Sequence, residues 1–350
     1  MGAYDNIAIL IPAYKPDGLL NDFIRNLKAV GFSRILVVDD GGGPDYARFF
    51  DEAREQGAEV LTHEVNKGKG VALKTGLLSI LNGGAVPVIT ADSDGQHAPD
   101  CCRRVADALL LSPDSLVLGM REKSAMPPRS RTGNTITCIA LGMLTGLWIG
   151  DTQTGLRGLP AKSLDGFAQL DGDRYEYEMN MLIAARQQNM PILELPIATI
   201  YIDANKGSHF DSVKDGYRIY SLLFKQIGKY IGSSLVSGII EYAVFIALML
   251  YRPEPAIISI VGARVISSAV NYIVNRDMVF KSHAGKRSIV YFYLLVSAVL
   301  FMNYWIIRFL EMVSVPRLIA KIIADLLLFV LSYNVQQRFI FRDRSGEEHV

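Results

Sequence analysis

The sequence carries almost no net charge: 36 lysines and arginines stand against 35 aspartates and glutamates in 350 residues. That balance gives no electrostatic reason to expect a nucleic-acid partner. Cysteine is scarce. The three present, of which Cys101 and Cys102 are adjacent, form neither a disulfide framework nor a CxxC zinc pair. Such usage fits a reducing compartment. The opening MGAYDNIAILIP lacks a basic region followed by an apolar core and a cleavage site, so no signal peptide is expected and the chain is read as beginning with a strand. No GxGxxG follows that strand, which disfavours a dinucleotide oxidoreductase, and there is no Walker A sequence.

What is abundant is apolar text. Half the residues are hydrophobic and the mean hydropathy is +0.23, high for a wholly soluble protein. Acids and bases mix up to about residue 230, and long apolar runs dominate beyond it. From Ile7 to about Tyr201, short β-rich runs alternate with helical stretches. IAILIP, RILVVDD, AEVLTHE and PVITADSD read as strands. Helices are expected at Leu19–Val30, at Tyr46–Gln56 and after Gly70. The alternation predicts an α/β fold with a mostly parallel, helix-covered, Rossmann-like sheet and ligands at the carboxyl ends of its strands. The strands end in PAYKP, DDGGG, NKGKG and DSDGQH, four polar or Gly-rich endings along one sheet edge.

Residues 214–232 place Ile219, Leu222, Leu223, Ile227, Tyr230 and Ile231 near one helical face. Lys214, Arg218, Lys225 and Lys229 fall largely on another. This pattern predicts an amphipathic helix in the membrane interface. Four apolar segments follow, near 234–251, 256–275, 288–310 and 318–337, each approaching the roughly 20 residues a spanning helix needs. Basic residues cluster on one side: Lys225 and Lys229, then Arg276, Lys281, Lys286 and Arg287, then Arg338, Arg342 and Arg344. By the positive-inside rule both termini and the sheet domain are expected in the cytoplasm. The shorter run at 136–150 is expected to be a core or interfacial helix of the sheet domain. The expected organisation is therefore a domain at 1–212, an interfacial linker at 213–232, an all-α four-helix transmembrane domain at 233–343 and a polar tail at 344–350. NYIVNRDMVF at 271–280 and SYNVQQRFIF at 332–341 resemble each other, which predicts a duplicated helix pair. Inside the apolar segments stand Glu241, Arg264, Lys321 and Asp325. They are expected to pair with one another as structural ion pairs, to line a polar cavity, or to reach lipid headgroups, where Arg264 and Lys321 would meet a phosphate.

The strand ends carry the chemistry. Asp92 and Asp94 are two residues apart, so in extended backbone both face the same way. With Gln96 they supply the hard oxygens that favour Mg²⁺ or Mn²⁺, completed by substrate phosphates. The alternative is a solvated turn. Pro12 and Tyr14 end the first strand, where Tyr14 is placed to pack on a base. Asp39 and Asp40 end the second, placed to accept from a nucleobase or ribose. In NKGKGVALKTG, Gly68 and Gly70 flank Lys69, with Lys74 one turn into a helix, a loop suited to phosphate.

IPAYKP, VVDDGG, NKGKGVALKTG, DSDGQH and GDTQTGLRGLP together resemble glycosyltransferase family 2 with the GT-A fold, and within it the polyprenyl-phosphate sugar synthases. The resemblance spans roughly residues 5–230. The four-helix region is similar to the GtrA-like membrane domain. The resemblance implies a metal on Asp92, Asp94 and Gln96. It implies a nucleotide-diphosphate sugar held by Pro12, Tyr14, Asp39, Asp40, Lys69, Lys74, Asp92 and Ser93. Arg121, Arg129 and Arg131 become candidates for the acceptor phosphate. Lys206, Ser208 and His209 stand in the late loop over the diphosphate, where relatives carry an Arg and a Ser-Lys pair. Asp94, Asp151 and Arg131 are the candidates for direct catalytic roles. Asp151, Gln153 and Thr154 run toward the sugar pocket, or shape a structural turn.

The expected reaction is an inverting, metal-dependent sugar transfer to polyprenyl (undecaprenyl-type) phosphate on the cytoplasmic face of a lipid bilayer. A hydroxyl acceptor would instead need a base, with Asp151, Glu176 or Glu178 available, although the two glutamates also read as a solvated helix start. A processive polysaccharide synthase is disfavoured, because no QxxRW motif precedes the membrane region. A flippase role for the membrane domain would call for a homo-oligomer, since four helices are few.

Overall fold

The protein is seen in a computed structural model that describes residues 4–198, 214–251, 256–280, 282, 285 and 287–341. Contacts divide it into two units, one of residues 1–142 with 147–220, the other of 143–146 with 221–350.

The first unit is built on β1 (Ala8–Ala13), whose six residues are all buried, as a central parallel strand requires. Helix α1 (Gly18–Ala29) starts at Asp17, whose side chain accepts the Leu19 N–H at 2.9 Å. It buries Leu20, Phe23, Ile24 and Leu27, one face at helical spacing. Then come β2 (Arg34–Asp39), α2 (Ala47–Glu55), β3 (Glu59–Thr62), α3 (Lys69–Asn82), β4 (Val88–Thr90), α4 (Pro99–Leu111) and β5 (Leu116–Arg121). The unit continues through α5 (Pro128–Thr145), β6 (Arg157–Leu159), α6 (Leu164–Ala168), α7 (Glu176–Gln187) and β7 (Ile192–Ile197).

The seven strands lie in the order β3-β2-β1-β4-β6-β5-β7. All neighbours are parallel except β6, which runs antiparallel to both β4 and β5. The mostly parallel sheet expected from the alternation is present. Strand order reverses beside β1: the chain steps outward through β2 and β3, then returns to place β4 on the other side of β1. Such a switch point opens a crevice at the carboxyl ends of the strands. The register Leu10↔Thr90 carries Pro12–Tyr14 and Asp92–Asp94 out of the same edge together.

Helix α8 (Lys214–Tyr251), most of which belongs to the second unit, is one helix of 38 residues. The expected interfacial segment and first span are thus continuous; the change in sequence pattern marks a change of surroundings, not a turn. Helix α9 (Ala256–Val274) follows, then α10 (Arg287–Met312) and α11 (Arg317–Val335). Gly228–Tyr251, Arg287–Met312 and Arg317–Ile340 are long and apolar enough to cross a membrane by length and composition, while α9 has 19 residues.

The duplication is plain in the backbone. Helices α9 and α11 start and end 61 residues apart, and each runs into a π-helical turn, Asn275–Val279 and Gln336–Ile340. Equivalent residues meet: Asn275 Nδ2 donates to Gln336 Oε1 at 2.9 Å, and the Phe280 and Phe341 rings stack at 5.2 Å. The charges inside the apolar segments pair within the chain. Arg264 Nη2 lies 3.1 Å from Glu241 Oε1, and Lys321 Nζ lies 2.6 Å from Asp325 Oδ1.

Candidate active site

A cavity of about 530 Å³ opens at the switch point. Pro12, Ala13 and Tyr14 from the end of β1 line one side, and Asp92, Ser93 and Asp94 beyond β4 line another. Asn66, Gly68 and Lys69 enter from the start of α3, with Arg174 and Tyr175 from the turn before α7.

Thr90 Oγ1 donates to the Gly155 carbonyl at 2.8 Å, bringing the DTQTG turn beneath β4. A side chain on Gly155 would collide with the Asp92 carboxylate, so the turn needs glycine there. Lys69 Nζ lies 2.7 Å from Asp92 Oδ1 and 3.1 Å from Glu178 Oε1, and His97 Nε2 sits 3.5 Å from Asp92 Oδ2. Burial alone would raise the Asp92 carboxyl, but Lys69 and then His97 outweigh it and hold Asp92 well below the usual carboxylate range. Burial alone would lower the Lys69 ammonium, and Asp92 with Glu178 holds it above its usual range. Asp94 is different. Burial, then the charge of Asp92, pushes its carboxyl up, and its Oδ1 accepts the Gln96 N–H at 3.1 Å.

Whether a divalent cation fits can be tested on these donors. Two carboxylates face one cavity, and the lysine reaches only Asp92. No three His, Cys, Asp or Glu side chains converge as a metal cage among the described residues. An incomplete shell of hard oxygens is what Mg²⁺ or Mn²⁺ accepts when substrate phosphates and water supply the rest. The residues fit such an ion, with Asp94 in no ion pair among the described residues and buried Gln96 two positions on.

The remaining predicted residues fall in three groups. Asp40 lines the cavity, but its carboxylate is engaged: Oδ1 meets His63 Nδ1 at 2.8 Å and accepts from Lys67 N at 2.9 Å, and Oδ2 accepts from Gly68 N at 2.8 Å. Asp39 turns to its own loop and accepts from Gly42 N at 2.8 Å; burial raises its carboxyl. Lys74 contacts Asp173 at 3.4 Å and is not among the cavity residues.

Asp151 is buried and held by the fork of Arg121, Nε at 2.7 Å and Nη2 at 3.0 Å, so these two candidates are brought to each other. The neighbouring Asn134 of α5 accepts from Thr152 N and Oγ1, both at 3.0 Å, tying α5 to the same turn. Arg129 and Arg131 begin α5; Arg131 is exposed, and the side chain of Arg129 lies outside the described residues. Lys206, Ser208 and His209 also lie outside them.

Glu176 is a helix-start group: its Oε1 accepts from Asp173 N at 3.0 Å and Arg174 N at 3.2 Å. Glu178, by contrast, is buried against Lys69. Asn66, Arg174 and Tyr175 line the cavity without having been singled out; RYEYEMN drew attention only to its glutamates, and the arginine at its head was the available signal.

Residues 8–163 match Glycosyl transferase family 2, and residues 229–341 match the GtrA/DPMS transmembrane domain. An uncharacterized protein of Methanocaldococcus jannaschii is 32% identical over 231 residues, which cover 64% of this chain and 91% of that protein. The chain belongs to glycosyltransferase family 2. Another relative, a UDP-N-acetylglucosamine–dolichyl-phosphate N-acetylglucosaminyltransferase of Methanococcus voltae, is 30% identical over 244 residues, 64% of this chain and 97% of the relative. In fold, the glycosyltransferase is similar to the glucosyl-3-phosphoglycerate synthase of Mycobacterium tuberculosis. The TM-score is 0.50 at 18% identity, over 63% of this chain and 78% of that one. With its matched transmembrane domain and apolar helices, the glycosyltransferase is an integral membrane protein.

Proposed function

We propose that this glycosyltransferase moves a sugar from a nucleoside-diphosphate donor to a polyprenyl phosphate of the undecaprenyl type. The transfer inverts the anomeric carbon, and it uses Mg²⁺ or Mn²⁺ held by Asp92 and Asp94 with Gln96. The observation that carries this reading is the carboxylate pair in a switch-point cavity of a chain that brings its own membrane unit. The name of the Methanococcus voltae relative, which joins a UDP-sugar donor to a dolichyl-phosphate acceptor, supports it. The lipid product would supply sugar for cell-envelope glycans. Helices α8 to α11 are taken as four spans. The basic residues Lys229, Arg276, Arg287 and Arg338 then share one side, which supports reading the catalytic domain as cytoplasmic.

The acceptor explains why no strong base is required. A phosphate monoester with its second pKa near 6 is largely dianionic at neutral pH and is already nucleophilic. Its oxygen attacks the anomeric carbon from the face opposite the leaving group. The bond from that carbon to the diphosphate oxygen breaks, and its electron pair leaves with the nucleoside diphosphate. A bound divalent cation would offset charge on that diphosphate. The chain's own part is to align the two anions and exclude water. Tyr14 and Pro12 offer an apolar wall for the donor, and Lys69 holds Asp92 against the floor of the cavity.

A hydroxyl acceptor draws less support. It would need a free carboxylate base, whereas Asp151 is forked to Arg121, Glu176 caps α7 and Glu178 pairs with Lys69. The test is to incubate the purified full chain with nucleotide sugars, Mg²⁺ and undecaprenyl phosphate, and to assign the anomeric configuration of the lipid product by NMR. Inversion is expected; retention, or a product glycosylated on a hydroxyl, would contradict the reading.

A further inference from the structure

We infer that Arg174 is the group in this cavity that grips the donor's diphosphate, and that Lys69 instead organises the carboxylates around it. The inference rests on the donor reading above and deepens it.

Two cations line the cavity among the described residues, Lys69 and Arg174. Lys69 is the one that the NKGKG sequence offers, yet its ammonium lies between Asp92 at 2.7 Å and Glu178 at 3.1 Å. A phosphate binding there would have to displace two carboxylates. The glycine-rich loop is also less open than its sequence suggests. Its amides at Lys67 and Gly68 donate to Asp40, and the Val71 amide donates to the Asp173 carbonyl at 3.2 Å. These three backbone groups, which could otherwise face a phosphate, are engaged within the chain.

Arg174 has the opposite character. It is half-buried and meets no carboxylate among the described residues; its guanidinium reaches Asn66 Oδ1, another cavity residue, at 3.5 Å. It is held firmly at its backbone. Its N–H donates to Glu176 at 3.2 Å, and Asp173 and Arg174 press against Gly68 and Gly70. Gly68 has φ +105°, and a Cβ there would collide with the Asp173 carbonyl and the Arg174 side chain. The two glycines of NKGKG therefore seat this arginine. A guanidinium so placed keeps most of its five N–H donors for a ligand, and its planar fork matches two phosphoryl oxygens at once. Its complement beside Asp92 and Asp94 is a diphosphate.

The test uses the full chain in detergent with Mg²⁺, titrating UDP, GDP, uridine and guanosine by calorimetry. The wild type is expected to bind one diphosphate well above its nucleoside. Arg174→Ala should weaken that diphosphate by about 10- to 100-fold, and leave the affinity of its nucleoside and the melting temperature unchanged. Arg174→Lys, which keeps the charge and loses the fork, should fall in between, and it carries the test if the alanine variant does not fold.

Equal losses for diphosphate and nucleoside, or no loss, overturn the inference. Unchanged diphosphate affinity with a raised KM for undecaprenyl phosphate also overturns it, by moving Arg174 to the acceptor's phosphate. A wild type that binds neither diphosphate overturns the donor reading itself, and this result is distinct because it appears before any variant is made.

Discussion

The membrane unit and the cavity treat charge in opposite ways. In the membrane unit, Arg264 meets Glu241 and Lys321 meets Asp325, so each of these charges has its counter-ion within the chain. In the cavity, Asp92 is compensated by Lys69, while Asp94 and Arg174 have no ion-pair partner among the described residues. Removing a charge from water is costly unless something compensates it. Pairing inside the chain serves structure. Charges left over, of both signs and in one cavity, leave places for a ligand that brings its own metal and phosphates.

The sharpest way to break this contrast is at Asp94. Asp94→Ala should lower transfer by at least about 100-fold with the melting temperature preserved, because no partner in the chain loses its counter-ion. Steady-state assays beside thermal unfolding would check both halves. Lys69 should behave in reverse. Lys69→Met removes the cation between Asp92 and Glu178 and leaves Asp92 only His97 at 3.5 Å. It should destabilise the catalytic unit by about 3 kcal/mol, the low end for a broken buried pair because Asp92 retains some solvent contact. A melting temperature equal to that of the wild type would show that Lys69 is not the structural cation described.

The membrane unit allows a second, internal comparison, since its two helix pairs are copies. The seam between α8 and α9 is polar. Ser233 bonds Asn275, Asn271 donates to Ser237 at 3.0 Å, and Ser267 donates to Glu241 at 3.2 Å. Sixty-one residues on, Leu294, Ala298, Met302 and Leu328 stand in place of Ser233, Ser237, Glu241 and Ser267. Only the ends of the two copies agree, where Asn275 meets Gln336. The second seam has apolar residues at those positions and places its cross-helix hydrogen bond elsewhere, where Asn303 Nδ2 donates to Asp325 Oδ1 at 2.8 Å.

Glu241→Met copies the second pair into the first. It leaves Arg264 without its carboxylate and, with α9 read as the proposed fourth span, should lower stability by about 2.5 kcal/mol on insertion scales. Adding Arg264→Leu should recover most of that loss, as a double-mutant cycle in detergent would reveal. Ser237→Ala, which copies Ala298, removes one hydrogen bond and should cost about 1 kcal/mol in the same assay.

Much of this was legible in the sequence, for stated reasons. Runs such as IAILIP and RILVVDD end in polar text because parallel strands are buried along their length and exposed at one edge, so the sheet and its functional edge could be read together. NYIVNRDMVF and SYNVQQRFIF announced the duplication because both copies must close with the same π-helical turn. What could not be read is long-range. Nothing near Lys69 says that Glu178 will neutralise it, and nothing near Gly68 says that Asp173 and Arg174 will occupy the space a side chain would need. Asp40 looked like a ligand for the nucleotide, yet it is bound by His63 and the amides of a loop more than twenty residues away. The continuity of α8 was hidden because apolar patterning reports the surroundings of a helix and not its ends.

The measurement that tests the central claim most directly is release of nucleoside diphosphate by the purified full chain. It would be run with a panel of nucleotide sugars, with and without undecaprenyl phosphate, and with and without Mg²⁺ or Mn²⁺. The account predicts release that needs both lipid phosphate and divalent cation and disappears in Asp94→Ala. Release that proceeds without lipid phosphate, or that survives chelation and the loss of Asp94, would contradict it.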